Sequence, residues 1–119
     1  MYLSKISLLN FKNYIETELS FSDRINCFVG NNGVGKTNLL DAIHYLALAK
    51  SYFNTIDSQN IRHENEYSVI QGDFIKQDKT ENIYCGIQRN KRKLFKRNKK
   101  DYDKIADHIG LFPLVMISP

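Results

Sequence analysis

Gly30, Gly35, Lys36 and Thr37 stand at the spacing G-x-x-x-x-G-K-[ST], in the run Gly30-Asn31-Asn32-Gly33-Val34-Gly35-Lys36-Thr37. Those residue types in that order suit a polyphosphate. Glycines at 30, 33 and 35 let the backbone curl tightly and turn its N–H groups inward. A helix that begins here points its positive end at the same spot. Lys36 reaches toward the β- and γ-phosphates, and the Thr37 hydroxyl is placed to ligate a bridging Mg²⁺. Asn32 adds a side-chain donor near the γ-phosphate. The expected nucleotide contacts are Gly30, Asn31, Asn32, Gly33, Val34, Gly35, Lys36, Thr37 and Asn38, with Thr37 the metal ligand.

Hydrolysis needs further groups: a carboxylate after a second buried strand and a residue that orients water. Leu111 to Ile117 is the only long apolar run that could supply that strand, and it leads into Ser118-Pro119. Asp73 follows Val69-Ile70-Gln71-Gly72, a poor match. No catalytic residue is assigned, and binding without efficient turnover is expected.

The loop needs a strand before it and a helix after it. Ile25 to Val29 is apolar, and Asn38 to Ala49 is helical in pattern, with Leu39, Ile43 and Leu46 on one core-facing stripe. Leu3 to Phe11 reads as a strand with Ile6 and Leu8 on one face. Ile15, Thr17, Leu19 and Phe21 alternate with polar residues, as in a half-exposed strand. Asn13-Tyr14 marks the bend between the two. Tyr52 to Glu66 is polar, with room for a short helix. Tyr67 to Phe74 and Ile83 to Gln88 read as strands around a turn at Lys76 to Glu81. Asn90-Lys91 closes a hairpin onto Lys93 to Lys96. Tyr102 to His108 suits two helical turns, and Leu111 to Ile117 a strand buried on both faces.

With 119 residues there is room for one small domain, and a hydrophobic fraction of 42% is enough for a core. No apolar run approaches a membrane span, and the N-terminus lacks a secretory profile, so a cytoplasmic protein with no membrane partner is expected. Cys27 and Cys85 read as buried thiols. His44 and His108 lack partners at ligand spacing and are not read as metal ligands.

The net charge of +4 is local. Arg89 to Lys100 holds eight basic residues and no acidic one, while the remaining chain holds nine basic against thirteen acidic. Arg89, Lys91, Arg92, Lys93, Lys96 and Arg97 are therefore candidate DNA contacts, since cations gain by displacing counterions from phosphate. Phe95 and Tyr102 could stack on bases. The plainer reading is a solvated hairpin anchored by Leu94 and Phe95. Lys12 could approach the nucleotide from the first turn or be a surface charge. Tyr52-Phe53 could contact adenine or belong to the core. Arg62 and His63 have no assigned role beyond packing or surface.

Several segments together resemble the N-terminal part of the RecF family, P-loop ATPases related to SMC heads and ABC-type ATPases. These are Leu8 to Tyr14, Phe28 to Thr37, Leu40-Asp41-Ala42-Ile43, Ile61-Arg62-His63 and Phe112 to Pro119. The family usually has Arg where Lys12 stands, so a bidentate contact becomes a point charge. It often has Arg where Phe53 stands. The resemblance implies an α/β head lobe of the ABC/SMC type, with a mixed sheet carrying the Walker A helix and a flanking antiparallel β layer. It implies that residues 1–119 are the Walker A part of an incomplete head, without signature or Walker B. ATP with Mg²⁺ would then be the cofactor, and Lys12 would join its contacts. Single- and double-stranded DNA and RecO/RecR-type mediators would be partners in recombinational repair and the SOS response. An ATP-dependent homodimer and weak DNA-dependent ATPase activity would belong to the full-length protein. The alternatives are another SMC-like DNA-associated ATPase head, a P-loop small-molecule kinase fragment, and a truncation that folds poorly.

Overall fold

Period-two alternation builds six strands among the described residues. The computed structural model describes residues 2–21, 34–51, 54, 56–102 and 108, and of 34–36 the backbone alone. Its strands are β1 (Tyr2–Phe11), β2 (Tyr14–Ser20), β3 (Tyr67–Lys76), β4 (Lys79–Gln88), β5 (Leu94–Arg97) and β6 (Lys100–Asp101). Helix α1 (Val34–Leu48) and a 3₁₀ turn, Asp57–Asn60, lie between β2 and β3.

The strands form one sheet in the order β2-β1-β3-β4-β5-β6, with every neighbouring pair antiparallel. Ile6 and Leu8 of β1, Ile70 and Phe74 of β3, Ile83, Cys85 and Ile87 of β4, and Phe95 of β5 are buried on one face. Leu39, Ala42, Tyr45, Leu46 and Ala49 cover that face from the helix side. Full burial of each large aliphatic here contributes about 1.5–3 kcal/mol. Gly72 permits the close approach: a Cβ there would lie 2.5 Å from Leu46 Cδ1.

The expected antiparallel layer is present, together with the helix that follows the loop. The expected strands at 25–29 and 111–117, Cys27, Tyr52-Phe53 and most of 102–108 lie outside the described residues.

Four expectations need correction. Ile15 is 61% exposed, because β2 is an edge strand and its inward residues are Thr17 and Leu19. Helix α1 begins at Val34, four residues before the expected start, since glycine and β-branched residues in its first turn weaken the pattern without preventing the turn. Its buried surface is wider than one stripe and includes Asp41, His44 and Tyr45, while Ile43 is only partly buried. The β3–β4 connection is a two-residue turn at Gln77-Asp78, whose φ angles of 50° and 62° match the hand of the strand twist. Asn98-Lys99 repeats that geometry and brings in β6, which the sequence reading lacked. Among the described residues no helix is long and apolar enough to cross a membrane.

Candidate nucleotide cavity and basic hairpin

The turn Lys12-Asn13 joins β1 to β2 and sits against the first half of α1. Lys12 has a φ of 51°, uncommon for a residue with a Cβ and costing about 1 kcal/mol or more. Its surroundings fix it there. The Lys12 N–H donates to the Asn60 carbonyl at 2.8 Å, and Lys12 Nζ pairs with Asp41 Oδ2 at 2.7 Å. Asp41 is wholly buried on α1 and also accepts from Ser51 Oγ. Beside it, Asn38 Nδ2 donates to Asn13 Oδ1 at 2.7 Å. The hairpin turn and the P-loop helix are thus clipped together at two points.

Asn54, Asp57 and Asn60 are held by the same device. Asn54 Nδ2 donates to Asn60 Oδ1 at 2.8 Å, and Asn60 Nδ2 donates to Tyr45 Oη at 2.9 Å. Tyr45 in turn donates to Asp57 Oδ1 at 2.6 Å. Burial, with the Asp57 bond second, pushes the Tyr45 phenol far above its ordinary pKa, so it stays a donor. Phe11 meets the Tyr45 ring edge-on at 5.9 Å. Ile61 bridges to Phe11, and the Arg62 N–H donates to the Asn10 carbonyl at 2.7 Å.

A cavity of about 510 Å³ opens between these parts, lined by Lys12, Asn38, Asn54, Ser58, Gln59, Ile61, His63 and Arg89. That volume falls within the range of about 300–1,000 Å³ usual for small-molecule sites. Among the described residues its ionisable lining is basic or neutral, with no carboxylate, and it sits at the N-terminal half of α1, the end that favours anions. An anionic ligand fits these donors.

Of the expected nucleotide contacts, Gly30 to Gly33 lie outside the described residues. Val34, Gly35 and Lys36 are described as helix backbone in the first turn of α1, and Thr37 is half-buried there. Lys12 and Asn38 line the cavity together. His63 also lines it, and Arg62 clips the chain to β1 through its backbone. Asn13, Asp41, Asn54, Ser58, Gln59 and Asn60 were missed by the sequence reading. A carboxylate in the apolar half of a helix was the one available signal for Asp41; small polar residues in a loop carried none. His44 Nδ1 lies 2.6 Å from the Lys50 carbonyl, and no metal-holding cluster of His, Cys, Asp or Glu occurs among the described residues.

The basic run divides by alternation along β5. Lys91 and Arg92 are exposed, and Lys96 lies over the Tyr84 ring at 5.9 Å. Lys93, Phe95 and Arg97 point the other way. Lys93 Nζ donates to the Ala49 carbonyl at 2.5 Å and pairs with Asp57 Oδ2 at 3.1 Å. Arg97 Nε pairs with Glu81 at 2.9 Å, which holds the Glu81 carboxyl below its usual pKa. Arg89 Nε donates to the Asn65 carbonyl at 2.8 Å. Phe95 does not face solvent for base stacking: it is 3% exposed and packs against His108 at 4.6 Å. Leu94, expected as an anchor, is exposed instead.

A family model described as AAA ATPase domain matches residues 1–111. The DNA replication and repair protein RecF of Phocaeicola vulgatus is 58% identical over the whole chain, which covers 32% of that protein. The RecF of Parabacteroides distasonis is 56% identical, with 33% of it covered. A solved structure of the recombination mediator protein RecF with ATP, of the RecFOR pathway, superposes with a TM-score of 0.91 at 30% identity. That superposition covers 99% of this chain and 32% of that one. The chain thus spans about a third of the length of the curated relatives it matches. The P-loop head of the ABC/SMC type is its fold, and by the span of the match the chain belongs to the AAA ATPase domain family.

Proposed function

We propose that this chain binds ATP with Mg²⁺ and serves a RecF-like protein of DNA replication and recombinational repair. The observation that carries the reading is the cavity at the N-terminal half of α1, walled among the described residues by Lys12, Asn38, His63 and Arg89 and by no carboxylate. Gly30 to Asn38 would hold the phosphates through backbone N–H groups, Lys36 would neutralise the β- and γ-phosphates, and Thr37 would ligate the metal. Lys12 would donate toward the phosphates from a position fixed by Asp41, whose carboxylate offsets its charge. Lys91 and Arg92, both exposed, and the half-buried Lys96 of the basic run would meet the DNA backbone, single- or double-stranded. ATP-dependent dimerisation, RecO/RecR-type partners, weak DNA-dependent hydrolysis and a cytoplasmic, SOS-linked role would belong to the longer protein.

Titration with labelled ATP and Mg²⁺ tests this. Saturable binding with a rise in thermal midpoint is expected, because a ligand of the native state at a hundred times its Kd adds about 2.7 kcal/mol. Lys36→Ala is expected to abolish both while leaving the apo midpoint in place. Well-folded protein that takes up no Mg·ATP would end the reading.

A further inference from the structure

Lys93 stands in the middle of the densest basic stretch of the chain, yet its charge is turned away from solvent. Its side chain is 18% exposed and that of Asp57 is 30% exposed. It receives two acceptors from the far side of the sheet: the Ala49 carbonyl just beyond the C-terminal end of α1, and the Asp57 carboxylate. Its ammonium also lies 5.9 Å from the Tyr45 ring centre. From Asp57 a continuous series of hydrogen bonds runs to Tyr45, to Asn60 and to the backbone N–H of Lys12. Lys12 is itself held to Asp41 on the P-loop helix. The residues this series grips, Asn54 and 56–61, supply Asn54, Ser58, Gln59 and Ile61 to the cavity wall. Arg89, at the other end of the basic run, lines the same cavity.

We infer that Lys93 is a positioning residue of the nucleotide cavity rather than a nucleic-acid contact. Through Asp57 it ties the basic hairpin to the cavity wall, so that DNA held on the hairpin and nucleotide held in the cavity influence each other's affinity. The inference rests on the ATP- and DNA-binding reading above. Lys91 and Arg92 precede Lys93 directly, and any displacement of the hairpin by a phosphate backbone is transmitted to Asp57 and the wall by an ion pair only partly open to solvent. Such a pair is less screened than a surface one. Coupling between two sites is reciprocal and usually amounts to a factor of about 5 to 150. The test measures that coupling directly.

The test uses the whole protein. The Kd for Mg·ATP is measured without DNA and with saturating duplex, and the ratio of the two is the coupling. The Kd for the duplex is measured across a salt series. In Lys93→Met the ratio is expected to collapse to within about twofold of one. The salt slope is expected to stay that of the unaltered protein, because no phosphate contact is lost. In Lys91→Ala and Arg92→Ala the slope is expected to fall by about one each, with the ratio kept. Lys93→Arg, which can still pair with Asp57, is expected to restore part of the ratio. The paired variant Lys93→Met with Asp57→Asn removes both charges at once and covers the case in which the single variant unfolds; its ratio is expected near one. A salt slope in Lys93→Met that falls as it does in Arg92→Ala would overturn the inference, as would an unchanged ratio. Failure of the unaltered protein to bind Mg·ATP or duplex would end the functional reading itself. Binding of both with an undiminished ratio in Lys93→Met ends only this inference.

Discussion

Asp41 and Lys12 meet at 2.7 Å across the junction of the P-loop helix and the first hairpin, with the carboxylate wholly buried. The pair holds a lysine in left-handed backbone beside a cavity that it also lines. Removing one partner of a buried pair typically costs about 3–5 kcal/mol, more than the pair itself contributes. Asp41→Ala is therefore expected to lower stability by about 3 kcal/mol or more, read from the denaturant midpoint. Lys12→Met in the same background is expected to recover part of the loss. A loss below about 1 kcal/mol would show that solvent screens the pair as it does on a surface.

Gly72 is the contact point between sheet and helix. An alanine Cβ there would lie 2.5 Å from Leu46 Cδ1 and 3.2 Å from Leu3 Cδ1. Leu46 is wholly buried and has little room to move away. Gly72→Ala is expected to cost about 1–3 kcal/mol by overpacking, measured as a fall in thermal midpoint. Leu46→Ala, itself destabilising, should reduce that penalty when combined with it.

His108 is buried, donates from Nε2 to the Leu46 carbonyl at 2.6 Å, and accepts at Nδ1 from Tyr102 Oη at 2.8 Å. Desolvation holds its pKa below the ordinary 6.5. A base depressed in the folded state contributes stability that is complete above about 6.5 and is lost as pH falls through the folded value. Denaturation midpoints are expected to drop from about pH 7 toward pH 5. His108→Gln keeps a donor and an acceptor without titrating, so it is expected to flatten that part of the profile. Loss linked to Glu81 falls at lower pH, since its carboxyl is held below the usual 4.5.

Cys85 is wholly buried in β4, and desolvation raises its thiol pKa to about 12. Thiolate is the reactive form, so at neutral pH the group is expected to be inert in the native state. Alkylation at Cys85, followed by peptide mass mapping, should appear only as the chain unfolds in denaturant. Fast labelling in native buffer would show that β4 opens locally.

Part of the fold was legible in the sequence. A helix after the loop was expected, though with its start four residues late, and strands were located at 3–11, 67–74 and 83–88, with Ile6 and Leu8 on the buried face. Alternation from Phe95 would also have turned Lys93 and Arg97 inward, but charge density drew the whole run to solvent. Pattern alone does not tell a lysine that finds an internal carboxylate from one that does not.

What the residues determine locally is backbone preference: glycines that curl, alternation that makes strands, a helix whose apolar positions recur. Those depend on neighbours a few places away and can be read along the chain. The cavity is another matter. Lys12 meets Asp41 across 29 positions, Asn13 meets Asn38 across 25, and Lys93 meets Asp57 across 36. Each pair exists only because the sheet and α1 bring distant segments together, where lowered dielectric makes partnered polar groups favourable and unpartnered ones costly. Which cations of the basic run face solvent and which turn to an internal carboxylate was therefore decided by tertiary packing alone.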